Sequence, residues 1–403
     1  MSAASSAPAA LAGRREYTGP ALFSYGFRPF FFGGAVWAAL SILLWLPQYV
    51  GSLTLPTAHA PLDWHSHEML YGYTGAVIAG FLLTAIPNWT GRLPVRGWPL
   101  AGLAALWLAG RVVMLCSSRT GFVVAAVVDV AFLLTLAGVA MREIIAGQNW
   151  RNLRVLAVLG VLIASNIAFH IEVIRFGAST YGIRFGIAAV IILVMLVGGR
   201  IVPSFTRNWL ARINPGRLPA PFGRFDALAI AVSAVALTAW AVSPERLVTS
   251  LLMLAAAALQ MVRLFRWAGD RTLPDRLVLI LHVAYAFIPV GFLLAGLPGL
   301  FVHIPASAAI HAWTSGAIGL MTLAVMTRAS LGHTGRPLAA TPMTQAIYLC
   351  AFIAAVLRIL AAFTGGMILL HSAALAWILA FGGFAVVYGP WLIRRPPVWS
   401  TSC

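Results

Sequence analysis

Apolar runs of about 20 residues recur along this chain from residue 30 to residue 393. An α-helix crosses the roughly 30 Å hydrocarbon core of a bilayer in about 20 residues. Lipid offers no hydrogen-bond partners, so the backbone of such a run must satisfy itself, which a helix does. The runs fall at about 30–50, 66–87, 98–117, 121–144, 153–174, 182–203, 225–243, 247–267, 276–297, 305–327, 343–364 and 368–393. They predict an all-α polytopic membrane protein with twelve transmembrane helices. With 61% hydrophobic and 9% charged residues, the composition excludes an ordinary soluble domain.

The net charge of +17 does not call for a nucleic-acid partner, because the basic residues sit in short connections between the apolar runs. All 27 are arginine. With the N-terminus inside, 21 fall on the inner side and four, Arg119, Arg175, Arg184 and Arg246, on the outer side; Arg111 and Arg358 fall inside spans. That bias places both termini in the cytoplasm, with an even number of spans. The N-terminal 20 residues lack a secretory pattern; residues 1–28 read as a cytoplasmic tail, 29–395 as one membrane domain, and 396–403 as a second tail. Cys116, Cys350 and Cys403 show no paired spacing, so neither a disulfide nor a thiolate cluster is expected.

A weak internal repeat underlies the spans. A displacement of 244 carries His67 onto His311, Gly72 onto Gly316, Gly75 onto Gly319, and Thr90-Gly91-Arg92 onto Thr334-Gly335-Arg336. A fainter copy at 116 carries Pro87 onto Pro203 and Thr90 onto Thr206. The pattern predicts three pseudo-equivalent four-helix units at about 29–147, 150–268 and 272–395, with spans 2, 6 and 10 equivalent. Chance likeness among Gly/Ala-rich helices is the alternative.

Histidine carries the clearest chemical signal. His65, His67, His170, His303, His311 and His371 all fall near the outer level of the membrane, which makes them candidate metal ligands. A single such histidine reads more readily as a structural hydrogen bond, but six at one depth do not. His65 and His67 lie about 200° apart around a helix, so they cannot both chelate one ion from it. His67 and its repeat partner His311 are the candidate axial ligands of a planar cofactor, leaving His65 for a second metal or a hydrogen bond. His59 falls in the first outer loop.

Arg111 and Arg358 lie inside spans 3 and 11. They either snorkel to headgroups or meet two carboxylates of one ligand, as haem propionates would supply. Acidic groups are scarce, so Glu68, Glu172 and Asp129 are candidate catalytic residues, relaying protons or orienting imidazoles. Asn166 lies one turn before His170 on the same face. Gly198-Gly199-Arg200-Ile201-Val202-Pro203 is expected to close span 6, and Gly72, Gly75, Gly316 and Gly319 to allow close packing. The chain has no Walker loop, CxxCH or HExxH, so any haem is non-covalent.

Three motifs carry a family resemblance: His65-Ser66-His67-Glu68-Met69, then Gly198-Gly199-Arg200-Ile201-Val202-Pro203-Ser204-Phe205-Thr206, then Met326-Thr327-Arg328-Ala329-Ser330-Leu331-Gly332-His333-Thr334-Gly335-Arg336. With these, the chain resembles the NnrS family from Phe23-Ser24-Tyr25-Gly26-Phe27-Arg28-Pro29 to the last span. The resemblance implies a twelve-helix bacterial membrane protein binding haem, of b type, and copper, tied to denitrification and defence against nitric oxide. Its arrangement is similar, by analogy, to haem-copper oxidases and their nitric oxide reductase relatives. The expected activity is oxidoreductase chemistry on nitric oxide, with quinol as a plausible donor. A transporter of metal, haem or a metal–nitrosyl complex, or a non-catalytic haem sensor, is the competing expectation.

Overall fold

The computed structural model describes residues 17–213, 216–298, 300 and 304–395. Its described residues are all-helical, with twelve helices long and apolar enough to cross a membrane. These are α1 (Phe27–Tyr49), α2 (Pro61–Thr90), α3 (Trp98–Leu115), α4 (Phe122–Ala146), α5 (Trp150–Phe176) and α6 (Tyr181–Ile213). They continue as α7 (Arg224–Val242), α8 (Leu247–Arg271), α9 (Arg276–Gly296), α10 (Ala306–His333), α11 (Pro342–Thr364) and α12 (Met367–Ile393). The protein is thus a multi-pass helical membrane protein.

Local chemistry sets the helix ends. Pro61 and Pro342 open α2 and α11 at a position that needs no amide donor. Asp275 caps α9 by accepting from the Leu277 amide at 2.9 Å. Gly91 and Gly335, which the displacement of 244 relates, both sit in the left-handed region, at φ of 71° and 70°. In both turns the preceding threonine donates to the carbonyl four residues back: Thr90 to Ile86 at 2.8 Å and Thr334 to Ser330 at 2.6 Å. The Thr-Gly-Arg motif is therefore a helix stop written twice.

Neighbouring spans pack in sequence, and α1 packs against α12 to close the bundle. Arg28 fastens that closure. Its Nη1 donates to the carbonyls of Trp391, Leu392 and Arg394 at 3.2, 2.9 and 3.0 Å, placing a cation on the exposed end of α12.

In the interior, α2 is 83% buried over its apolar window, whereas α4 is 28% buried and faces lipid. Tyr71 joins α2 to α6 through a hydrogen bond to the Gly182 carbonyl at 2.9 Å, and Tyr73 joins α2 to α10 at Thr322. Spans 2, 6 and 10 do meet, but α9 and α1 are also largely interior, so the core is not those three alone. Two of the inner spans contain π-helical turns, Glu68–Tyr73 in α2 and Ala312–Gly319 in α10. These begin at positions 244 apart. Turns of this kind are frequent at functional sites.

Two spans differ from expectation. The glycine-rich motif does not close α6, which runs on to Ile213. Gly199 instead leaves room for the buried Arg263 guanidinium, which bonds Asp226 at 3.0 Å and Tyr285 at 2.7 Å. Span 10, expected to end at about 327, runs on to His333 as the last residue of α10, whose ring stacks on Tyr25.

Candidate functional sites on two faces of one helix

Pro61 starts α2 early enough that the whole Asp63–Met69 cluster is helical. His65 and His67 consequently face different sides. Each side holds a separate site.

On one side is a buried ionic cluster. His67 Nε2 lies 3.0 Å from Asp129 Oδ2, and His67 Nδ1 lies 3.0 Å from Glu68 Oε1. His170 Nε2 lies 3.2 Å from the same Asp129 oxygen, and Asn166 donates to it at 2.8 Å. Arg111 bridges the two carboxylates, donating to Glu68 at 2.6 Å and to Asp129. Trp37 donates to Glu68 at 2.7 Å. All five ionisable groups, His67, Glu68, Asp129, Arg111 and His170, are nearly inaccessible. In such a low-dielectric site charge must balance. Glu68 and Asp129 against Arg111 and a doubly hydrogen-bonded, protonated His67 sum to zero.

Gly72 makes this cluster possible. A Cβ there would lie 2.5 Å from Arg111 Nη1, 2.9 Å from Glu68 Oε2 and 3.1 Å from Trp37 Nε1. The cluster also offers metal-ligand geometry. Single ligand atoms of His67, Asp129 and His170 lie within 4.8 Å of one another. With bonds of about 2.0 Å, the edge of a tetrahedral site is roughly 3.3 Å, close to the 3.0 and 3.2 Å that separate Asp129 Oδ2 from the two imidazoles.

His59 reaches this cluster from the loop before α2, with its ring 6.5 Å from that of His170. Burial, reinforced by the neighbouring His67 and His170, pushes its imidazole down to about 3. Sequence periodicity gave no reason to select it, because a loop residue belongs to no helical face.

On the other side of α2 is a cavity of about 420 Å³, lined among others by Trp45, His65, Arg184, His311, Arg358 and Trp377. Its volume suits a small organic ligand or cofactor. Among the described residues, none that lines it is acidic. Arg358 makes no hydrogen bond or ion pair among the described residues. His311 Nδ1 lies 2.7 Å from the Ser307 carbonyl, which can only accept. Nδ1 therefore carries the proton and Nε2 keeps its lone pair. The His65 ring stacks on Trp45 with centroids 4.1 Å apart, and its buried Nδ1 has no partner.

The expected site residues therefore divide. His67, Asp129, Glu68, His170 and Arg111 come together in the cluster, while His65, His311 and Arg358 come together at the cavity. The anticipated pairing of His67 with His311, and of Arg111 with Arg358, about one ligand is not what the structure displays. Both nitrogens of His67 are engaged by carboxylates, and Arg111 is spent on Glu68 and Asp129. His65 takes the cavity-facing place instead.

Glu172 lies in neither site. It accepts from Ser179 Oγ at 2.7 Å and from the amides of Thr180, Tyr181 and Gly182 at 2.8, 3.1 and 3.1 Å. It caps the start of α6, aided by Asp63, which accepts from the Ser179 amide at 3.0 Å. His371 is exposed, with Nδ1 2.8 Å from the Met367 carbonyl. His303 lies outside the described residues.

Twelve spans enclosing a buried histidine–carboxylate cluster and an interior cavity that includes two arginines define a polytopic membrane protein with polar groups gathered in its interior. A family profile described as NnrS protein matches residues 21–395, and the chain belongs to the NnrS family. That family is linked to nitric oxide metabolism and to metal binding. No curated protein matches the chain.

Proposed function

We propose that the protein holds haem in the cavity and a metal ion, copper first, in the cluster, and that it binds and reduces nitric oxide there. In the overall reaction two nitric oxide molecules, two electrons and two protons give nitrous oxide and water. The observation that carries this reading is the division of function across α2, with His65 and His67 entering different sites two residues apart.

The cavity residues fit haem. Two imidazoles with unpartnered nitrogens stand beside two arginines and no acid, so the site lacks two negative charges. A haem's two propionates supply them. The internal repeat points the same way. The displacement of 244 that carries His67 onto His311 carries Glu68 onto Ala312 and Asp129 onto Ala373. Ala373 lines the cavity. One copy of the site is filled by carboxylates; the other has lost them and gained space. This supports the expected relation between the first and third units.

The cluster residues fit a small metal ion. His67 Nε2, His170 Nε2 and Asp129 would hold it, with Glu68 receiving the His67 Nδ1 proton as an orienting partner. Such a set suits copper or zinc. A monovalent ion in place of the His67 proton keeps the cluster neutral, while a divalent one leaves one positive charge for an anion to balance. Bound haem and copper would supply the redox chemistry. The exchangeable proton nearest to it would be the one on His67 Nδ1, accepted by the Glu68 carboxylate; Asp129 would be a ligand, and Glu172 is occupied as a helix cap. Electrons come from quinol in this reading. The arginine bias puts both sites in the periplasmic half of the inner membrane, with cytoplasmic termini.

Anaerobic assay of the detergent-purified protein, with a quinol donor, tests the proposal. Nitric oxide consumption matched by nitrous oxide formation is expected. Stoichiometric binding without nitrous oxide would reject the reductase and leave a sensor.

A further inference from the structure

Away from both sites, the inner ends of α2 and α4 enclose an open pocket of about 580 Å³. Arg92, Arg96 and Arg142 line it with a single acid, Glu143. That one carboxylate holds two of the guanidiniums. Arg92 Nε donates to its Oε2 at 2.5 Å, and Arg142 Nε and Nη2 donate to its Oε1 at 3.0 and 2.7 Å. Among the described residues, both terminal nitrogens of Arg92 and Nη1 of Arg142 have no acceptor. Glu143 is only 7% exposed at its side chain, whereas Arg92 and Arg142 are 45% and 68% exposed. The buried acid therefore orients the two arginines and leaves their outer N–H groups for something outside the chain. Three cations against one carboxylate give the lining an excess of two positive charges.

The surroundings say where that partner comes from. Leu93 and Trp98 flank the arginines and are 55% and 89% exposed. Exposed indole and leucine beside arginine mark a membrane–water boundary. The wall supplied by α4 belongs to the span that faces lipid. The internal repeat shows that the pocket is peculiar to the first unit. The displacement of 244 that carries Arg92 onto Arg336 carries Arg142 and Glu143 onto Val386 and Val387. Without the acid, Arg336 lies over the Trp391 ring, 3.9 Å from its centroid.

We propose that this pocket binds the headgroup of an anionic phospholipid. The phosphodiester oxygens accept from Arg92 and Arg142, and the acyl chains run along the lipid-facing side of α4. The site is independent of any metal or haem.

The test uses the full-length protein. Delipidated protein in detergent is titrated with phosphatidylglycerol, and separately with phosphatidylcholine of the same chains, and read by native mass spectrometry. Wild type is expected to retain phosphatidylglycerol at concentrations where phosphatidylcholine does not stay bound. Arg92→Gln/Arg142→Gln/Glu143→Gln removes the two cations together with the acid they hold, so no buried carboxylate is stranded. It should weaken phosphatidylglycerol binding roughly tenfold. Arg151→Gln/Arg154→Gln is the control, because both arginines are exposed and lie outside the pocket. It removes more net charge than the pocket variant and should leave binding unchanged. A control that weakens binding as much as the pocket variant would show surface charge alone and overturn the proposal. If the pocket variant does not fold, phenylglyoxal modification of wild type decides, mapped by peptide mass spectrometry in nanodiscs of either lipid. Arg92 and Arg142 should be protected in phosphatidylglycerol and modified in phosphatidylcholine. Equal modification in the two lipids would overturn the site. Protection in phosphatidylcholine nanodiscs by added inorganic phosphate would overturn the lipid assignment in favour of a free phosphate.

Discussion

His65 and His67 are separated by one residue and by the width of a helix: one lines the cavity with His311 and Arg358, the other sits between Glu68 and Asp129. A rotation of about 100° per residue makes that divergence obligatory once the segment is helical. The two sites share α2 as a common wall, and changes to one can be separated experimentally from changes to the other.

Gly72→Ala should unmake the ionic cluster without touching any charged residue. The added methyl collides with Arg111 and Glu68. Breaking a buried pair costs about 3–5 kcal/mol, so thermal unfolding in detergent should move sharply down. Gly75→Ala is the control, because its nearest neighbour atoms stand 3.6 Å away and accept a methyl at ordinary contact. Equal melting temperatures for the two variants would contradict the role given to Gly72.

Arg111→Met should destabilise by about 3–5 kcal/mol, since it strands two buried carboxylates. Arg111→Met combined with Glu68→Gln should recover part of that loss. The check is a double-mutant cycle on denaturation midpoints. Additive losses would mean that the two side chains do not interact.

Arg358→Ala should weaken haem affinity by roughly tenfold, the loss of about 1.4 kcal/mol for one charge-assisted contact. Haem dimethyl ester, whose carboxylates are blocked, should bind wild type and Arg358→Ala about equally. Visible absorption titrations measure both. An ester that still discriminates between the proteins would show that Arg358 acts through something other than the propionates.

Glu172→Gln should cost about 1 kcal/mol through weakened capping of α6, with copper and haem contents unchanged. Among the described residues its carboxylate bonds to Ser179 Oγ and to three amides of the α6 turn. Loss of either cofactor in this variant would restore Glu172 to the site.

The spans were legible because hydropathy over about 20 residues records the bilayer directly. The divergence of His65 from His67 was legible because helical geometry alone requires it. The partner of His311 was not. The repeat matched His311 to His67 by position, but Glu68 and Asp129 already fill the first copy, and only packing reveals which face of α2 stays open. Glu172 looked catalytic because acidic groups are scarce and it lies two residues after His170; its use as a cap depends on how the 177–181 turn delivers the α6 amides. His59 had no periodic signal, and the π-helical turns had no sequence signature beyond their glycines.

The most direct test of two separate centres compares cofactor contents of His65→Ala and His67→Ala, with haem measured by pyridine haemochrome and copper by atomic emission on the same purified samples. The expected result is reciprocal: His65→Ala loses haem and keeps copper, and His67→Ala loses copper and keeps haem. Loss of haem in His67→Ala with full haem in His65→Ala would contradict the account.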